Sequence, residues 1–140
     1  MSDKNILTKF ITAQKEDFDI ALAEIKNGRK ESHWIWYIFP QIAGLGRSAT
    51  SEYYAIQNLS EAKIYLENEY LRNNLLTICQ ALLDLKTDDA EEVLGWIDAM
   101  KLKSSMTLFT LAEPKETIFK AVLDKFFRGE LDEKTVEIAG

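Results

Sequence analysis

The sequence predicts an all-α fold: a single compact domain of about seven or eight short-to-medium helices in an orthogonal array. Its 140 residues include only 6 glycines and 2 prolines, so few positions interrupt a helix. Apolar residues recur at three- and four-residue steps, most clearly at Leu71, Leu75, Ile78 and Leu82, and this is the period of one helix face. Short connections between helices of unequal length suit neither a four-helix bundle nor a solenoid.

Apolar spacing and turn residues predict short helices in the first part of the chain. Helices are expected over residues 6–14 and 15–26, with Asn27-Gly28 as a stop. Ser32 is placed to cap a helix through the aromatic run that follows it. Pro40 should end that helix, because the residue before a proline avoids helical dihedral angles. The run is also rich in strand formers, so an isolated β-strand is the competing interpretation.

Further helices are predicted along the rest of the chain. Ser48 or Thr50 can cap a short helix, and Ser60 can cap the next one. The later expected elements are 70–85, 88–94 closed by Gly95, 97–111, a helix with Pro114 at or just before its first position and Gly129 at its end, and a last turn or two within 131–139. There is no repeat, low-complexity tract or linker, so we expect residues 1–140 to form one domain.

Composition limits the possible partners and the compartment. The formal net charge is −6, whereas phosphate-binding surfaces are rich in lysine and arginine, so we expect no nucleic-acid binding and no membrane surface. No apolar stretch approaches a bilayer span, and the first residues lack the apolar region of a signal peptide. The single Cys79 cannot form an internal disulfide. These features predict an acidic, soluble, cytoplasmic protein and leave its oligomeric state open.

Residues 32–41 form the most unusual segment, because they hold His33, the chain's only histidine, and two of its three tryptophans. His33 could transfer protons near neutral pH, or it could simply form a hydrogen bond at a helix start. On a helix, Trp34 and Trp36 lie roughly 200° apart, so they cannot both face one core. We therefore expect one of them to lie near the surface or to line a cleft, although aromatic residues at helical spacing usually fill the core.

Residues 44–48 place two glycines, Arg47 and Ser48 ahead of a predicted helix start. Glycines let backbone amides approach a ligand, a helix start attracts anions, and an arginine can bind phosphate or carboxylate through two hydrogen bonds. The alternative is a tight turn with Arg47 in solvent, because the pattern matches no established phosphate-binding motif.

A third group lies on the predicted helix 97–111, where Lys101 is spaced to meet both Ser104 and Ser105. A lysine beside a serine can activate the hydroxyl for nucleophilic attack. The order of the serine–lysine hydrolase signature is reversed here, however, and small serines under a surface lysine are the commoner arrangement. The chain lacks the histidine and cysteine spacing of a metal site, so we expect no metal and no cofactor.

Together, residues 32–41, 44–48 and 101–109 resemble family eighteen-ten of the domains of unknown function, some of whose members carry the misleading label calpastatin. The likeness runs nearly from end to end. It implies an all-helical, single-domain, bacterial-type protein with no established activity.

We expect the chain to bind a small anionic, partly planar ligand, such as a nucleotide or a phosphorylated metabolite. The ligand would lie in a cleft between the aromatic segment and the lysine–serine helix. The candidate binding residues are His33, Trp34, Trp36, Gln41, Arg47, Ser48, Lys101, Ser104 and Ser105. One alternative is a small hydrolase or transferase that uses His33 with Ser104 or Ser105. The other is a protein-interaction module with an exposed tryptophan patch.

Overall fold

The computed structural model describes residues 3–140 and contains nine α-helices within that range. They are α1 Asp3–Lys26, α2 Ile35–Ile38, α3 Ala49–Tyr53, α4 Leu59–Glu67, α5 Glu69–Leu83, α6 Ala90–Leu94, α7 Trp96–Ala112, α8 Ile118–Phe127 and α9 Glu133–Ala139. The all-α prediction is confirmed, with slightly more helices than the seven or eight expected. The one β-pairing within residues 3–140 is an isolated parallel bridge between Ile42 and Ile56.

Helix α7 forms the centre of the molecule. It packs against α2, α4, α6, α8 and α9, while α1 packs against α2 and α5. Its second half is buried on every side, including Leu102, Met106, Leu108 and Phe109. A helix that is apolar all round must lie inside the protein, and here it joins the other helices into one hydrophobic cluster.

The first two predicted helices form one continuous helix, α1, so the expected break after Gln14 was wrong. Gln14 is buried and faces the core, where its side-chain amide donates to the Tyr37 carbonyl oxygen and to the Tyr65 hydroxyl. These hydrogen bonds hold Gln14 within a continuous helix, at the position where a break was expected.

Three predicted helix starts were wrong, each because another contact satisfies the backbone. Helix α4 is capped by Asn58, whose side chain accepts from the Glu61 amide, and not by Ser60. Helix α8 begins at Ile118 and not near Pro114, because residues 113–116 form a turn.

The predicted cap at Ser32 was also wrong. Helix α2 begins only at Ile35, with Trp34 at the capping position and no side-chain cap. His33 therefore precedes the helix. The predicted end before Pro40 is confirmed, as is the cap at Ser48, whose hydroxyl accepts from the Ser51 amide.

Within residues 3–140 no helix combines the length and the apolar character needed to cross a bilayer.

Candidate functional site

Glu24 of α1 anchors the loop that leads into the aromatic segment. Its carboxylate accepts from the Ser32 hydroxyl at 2.5 Å, from the backbone amides of Glu31 and Ser32 at 2.7 and 2.9 Å, and from the Trp34 indole nitrogen at 2.9 Å. Burial by itself would raise the pKa of Glu24, but these four donors outweigh it and lower the pKa from 4.5 to about 2. Ser32 thus binds α1 instead of starting a helix.

A chain of charged contacts joins this loop to α7. Lys30 pairs with Asp98 at 2.9 Å and also donates to the Ser32 carbonyl oxygen. Asp98 pairs in turn with Lys101 at 3.3 Å, and the Lys101 ammonium lies 4.3 Å from the centroid of the Trp36 ring. Two segments that are distant in the sequence therefore meet through Lys101 and Trp36.

The two tryptophans of the aromatic segment have different environments, as predicted, although Trp34 precedes α2 and the helical spacing assumed for the pair does not apply. Trp34 is 1% exposed and belongs to the core, whereas Trp36 is half-buried and lines a surface cavity. Trp34 is thus fixed by packing and by its hydrogen bond to Glu24, and Trp36 is the ring that a ligand can reach.

The cavity beside Trp36, which we call the Trp36 cavity, has a volume of about 450 Å³. This size falls within the range of small-molecule sites, roughly 300–1,000 Å³. Its lining residues are Trp36, Gln41, Ile42, Ala43, Gly44, Gly46, Arg47, Ser51, Glu52, Tyr54, Ala55 and Gln57.

Backbone contacts hold the loop that forms one wall of the Trp36 cavity. The Ile56 amide donates to the Gln41 carbonyl at 2.9 Å, and the Ala43 amide donates to the Ile56 carbonyl at 2.8 Å. A Cβ atom at Gly46 would lie 2.7 Å from the Ser51 Cβ, so only glycine lets the loop approach α3 this closely. The glycines of the motif therefore shape the wall.

The polar side chains of the Trp36 cavity are largely free to bind a ligand. Arg47 and Glu52 are exposed, and neither makes an ion pair or hydrogen bond through its side chain in the part of the chain described. The side-chain amides of Gln41 and Gln57 make single long bonds of 3.4 Å to nearby carbonyl oxygens. A cation, an anion and two amides thus share one hollow with an indole and a phenol ring.

Lys101 and Ser104 line a separate hollow of about 460 Å³ between α7 and α9, together with the exposed residues Trp96, Ile97 and Met100. The Ser104 hydroxyl donates to the Met100 carbonyl within the same helix. Ser105 is fully buried, and its hydroxyl has no hydrogen-bond partner within the described residues. The lysine–serine group therefore lies beside the Trp36 cavity and does not form its wall.

The remaining candidates lie outside the Trp36 cavity. His33 is exposed in the loop before α2. The Ser48 hydroxyl caps α3 and bonds to Ser51. Of the nine candidate residues, the structure brings Trp36, Gln41 and Arg47 together in one cavity.

Sequence reasoning did not single out Glu52, Tyr54 or Gln57 as site residues. They come from α3 and the segment after it, and the bridge between Ile42 and Ile56 brings that segment alongside the glycine loop. Tyr54 had one usable signal, because an aromatic pair lies at the end of the short helix predicted after the motif with glycines and an arginine. Nothing in the sequence indicated that an isolated bridge would place Gln57 there.

Among the described residues, no group of three or more histidine, cysteine, aspartate or glutamate side chains is arranged to hold a metal ion.

Comparison with known proteins assigns the chain to a family. The sequence profile described as "Protein of unknown function (DUF1810)" matches residues 4–139. The chain belongs to this family. It is also similar to the crystal structure of the conserved hypothetical protein Rv1873 from Mycobacterium tuberculosis, with a TM-score of 0.93, 36% sequence identity and 95% of each chain covered. No curated protein matches the chain. The family description and the structural relative support the fold and assign no reaction.

Proposed function

We propose that this member of the family binds a small anionic, partly planar ligand in the Trp36 cavity. The observation that carries the proposal is the convergence of Trp36, Gln41 and Arg47 in one hollow of ligand size. A planar group would pack against the indole ring, and Arg47 would bind a phosphate or carboxylate through two hydrogen bonds.

Arg47 supports this proposal because its guanidinium has no protein carboxylate to neutralise it within the described residues. The Lys101 ammonium, 4.3 Å from the Trp36 ring centroid, adds positive charge beside the cavity. Glu52 lies in the same lining and would repel a second anionic group. It suits a hydroxyl or amino donor, such as a sugar hydroxyl, so the expected ligand has one anionic end and one donor-rich end.

Catalysis by His33 with Ser104 or Ser105 has less support. The Ser104 hydroxyl bonds within its own helix, the Ser105 hydroxyl is buried, and His33 does not line the Trp36 cavity. An interaction patch built on Trp34 and Trp36 also has less support, since one of these rings is in the core and the other lines a cavity.

Isothermal titration with adenosine 5′-monophosphate, adenosine, ribose 5-phosphate and benzoate tests the proposal. We expect the nucleotide to bind at least about tenfold more tightly than adenosine, because a charge-assisted contact is worth roughly 1.5–3 kcal/mol. Ribose 5-phosphate, which lacks the planar group, should also bind more weakly than the nucleotide.

Two variants and a matched control assign the binding to the Trp36 cavity. Arg47→Ala should weaken nucleotide binding about tenfold or more, and Trp36→Leu should weaken it by removing the planar contact. Arg29→Ala removes an exposed arginine outside the cavity lining and should leave affinity unchanged. If neither the nucleotide nor benzoate binds at millimolar concentration, or if Arg29→Ala weakens binding as much as Arg47→Ala, the proposal is wrong.

A further inference from the structure

A second groove lies on the other side of Tyr54, between α1 and a cluster of three tyrosines. It has a volume of about 730 Å³ and is more open than the Trp36 cavity. The ring centroids of Tyr37 and Tyr54 are 5.1 Å apart, and those of Tyr53 and Tyr54 are 4.8 Å apart with the rings edge to face. We call this second groove the tyrosine groove. Its wall is therefore largely aromatic, and Tyr53 is 58% exposed.

The other wall of the tyrosine groove is formed by α1 and carries two carboxylates and the Lys9 ammonium. Asp17 and Glu16 of α1 both line it. Asp17 accepts a hydrogen bond from the Tyr37 hydroxyl. Glu16 is exposed and forms no ion pair or hydrogen bond through its carboxylate in the described part of the chain. Burial raises the pKa of Tyr54, and the nearby charges of Asp17 and Glu16 raise it further.

The chain already holds one of its own cations at the end of this groove. The Lys9 ammonium donates to the Tyr53 carbonyl oxygen at 2.6 Å and lies 5.3 Å from the centroid of the Tyr53 ring. It also lies 5.4 Å from the ring of Phe10. Lys9 thus places an ammonium group beside the Tyr53 ring, at one part of the groove lining.

We propose that the tyrosine groove binds a small organic ammonium ion. The cation would lie against the faces of Tyr37 and Tyr54, with Glu16 and Asp17 as counter-charges. Aromatic faces favour large, weakly hydrated cations, and carboxylates nearby favour any positive charge. The Trp36 cavity offers an unpaired arginine instead, so two hollows that share Tyr54 would take ligands of opposite charge. This inference does not depend on the proposed function.

A titration followed by two-dimensional NMR tests the tyrosine groove. The probes are choline, ethanolamine and 3,3-dimethylbutan-1-ol, which has the shape of choline without its charge. Choline or ethanolamine should shift the amide signals of Glu16, Asp17 and Tyr54 in a saturable way. Choline should bind about two- to fivefold more tightly than 3,3-dimethylbutan-1-ol. This is the range expected for a cation–π contact at an exposed site.

Two variants that should change the affinity for the ammonium probe in opposite directions distinguish a specific binding site from general attraction to a negatively charged protein. Glu16→Gln should weaken binding about two- to fivefold, and Lys9→Met should strengthen it by a similar factor, because a competing cation is removed. Asp88→Asn removes an exposed carboxylate outside the groove and should change nothing. The proposal is overturned if neither ammonium probe binds, if the neutral alcohol binds as well as choline, or if Asp88→Asn weakens binding as much as Glu16→Gln. Arg47→Ala should leave choline binding intact, and Glu16→Gln should leave nucleotide binding intact, so either proposal can fail alone.

Discussion

Glu24 illustrates how one buried side chain decides the conformation of the loop that leads into the aromatic segment. Its two carboxylate oxygens receive four hydrogen bonds from Glu31, Ser32 and Trp34. A carboxylate with this many donors is stabilised in its charged form despite its burial, and the donors are ordered in return. The loop with His33 and the start of α2 are therefore held by one residue that sequence reasoning did not single out.

Replacing Glu24 by glutamine should lower the free energy of unfolding by about 2–3 kcal/mol at pH 7, because charge-assisted hydrogen bonds are lost. The folded-state pKa is lowered from 4.5 to about 2, so this stabilisation is present above pH 4.5 and is lost as the pH falls through 2. The difference between wild type and Glu24→Gln should therefore narrow between about pH 5 and pH 2. Urea unfolding at several pH values measures it. Glu31→Gln, an exposed neighbour in the same loop, is the control, and an equal loss in both variants would contradict the assignment.

Ser105 is the opposite case, a buried polar group without a hydrogen-bond partner among the residues that the structure describes. Its hydroxyl is fully buried and unbonded within the described residues, whereas Ser104 bonds to the Met100 carbonyl. Ser105→Ala should therefore raise the free energy of unfolding by about 0.5–1 kcal/mol, since it removes an unsatisfied hydroxyl and improves helix propensity. Ser104→Ala should change it by less. Denaturant unfolding of both variants decides the point, and a marked loss of stability in Ser105→Ala would mean that its hydroxyl has a bound partner.

At the scale of elements, periodicity predicted α5 and α7 well but divided α1 into two helices, and tertiary contacts decided the limits of the short helices. The range 70–85 closely matches α5 (Glu69–Leu83), because that helix carries a continuous apolar stripe. Helix α2 is four residues long and has no cap of its own, so its limits depend on Glu24 and on Pro40. The delayed start of α8 follows from a contact with α5: Arg72 bonds to Glu113 and Glu116 and holds the turn before the helix. The sequence around residues 113–118 cannot show that Arg72, 41 residues before Glu113, holds this turn.

The contact between the α1–α2 loop and α7 gives a prediction at the same scale. The Lys30 side chain is 7% exposed and pairs with Asp98 at 2.9 Å. Asp98→Asn leaves a buried ammonium without its counter-charge and should lower the free energy of unfolding by about 2 kcal/mol. The Lys30→Met, Asp98→Asn double variant should lose less than the sum of the two single losses, with a coupling energy of about 1–2 kcal/mol.

A control for this pair comes from α8, where Lys120 and Asp124 form an exposed ion pair at 3.1 Å. Asp124→Asn should change the free energy of unfolding by no more than about 0.5 kcal/mol, because solvent screens an exposed pair. Thermal or urea unfolding of all variants provides the comparison. Additive losses in the Lys30–Asp98 cycle would show that the two groups do not stabilise each other.

For the whole molecule, the fold class was predicted correctly, and three of the nine candidate residues line one cavity; the prediction missed the residues that complete the lining of that cavity. The glycine–arginine loop and the aromatic segment do meet, through Trp36, Gln41 and Arg47. Lys101 meets Trp36 as well, but Lys101 and Ser104 line another hollow. Backbone pairing and helix packing over the whole chain decide which cavity each of these residues lines. Residue type and spacing carry no information about that.

Gln14 of α1 connects α2, which carries Trp36, to α4 and α5 in the core. These contacts support a prediction about how the whole molecule unfolds. Its amide nitrogen donates to the Tyr37 carbonyl of α2 at 2.8 Å and to the Tyr65 hydroxyl of α4 at 2.9 Å, while its oxygen accepts from Asn74 of α5 at 3.0 Å. Gln14→Met keeps the side-chain length but leaves these groups unpartnered in the interior. It should lower the free energy of unfolding by about 2–3 kcal/mol.

The loss in Gln14→Met should appear as a lower midpoint of a single transition, because the helices share one hydrophobic cluster. Far-ultraviolet circular dichroism reports all helices, and tryptophan fluorescence reports the segments around Trp34, Trp36 and Trp96. We expect the two signals to give the same midpoint in wild type and in Gln14→Met. Gln80→Met, which removes an exposed amide bonded to Asp84, should leave that midpoint nearly unchanged. Separate midpoints for the two signals would show that the aromatic segment unfolds independently of the helical core. The structure of the candidate site would then not depend on the packing of the whole chain.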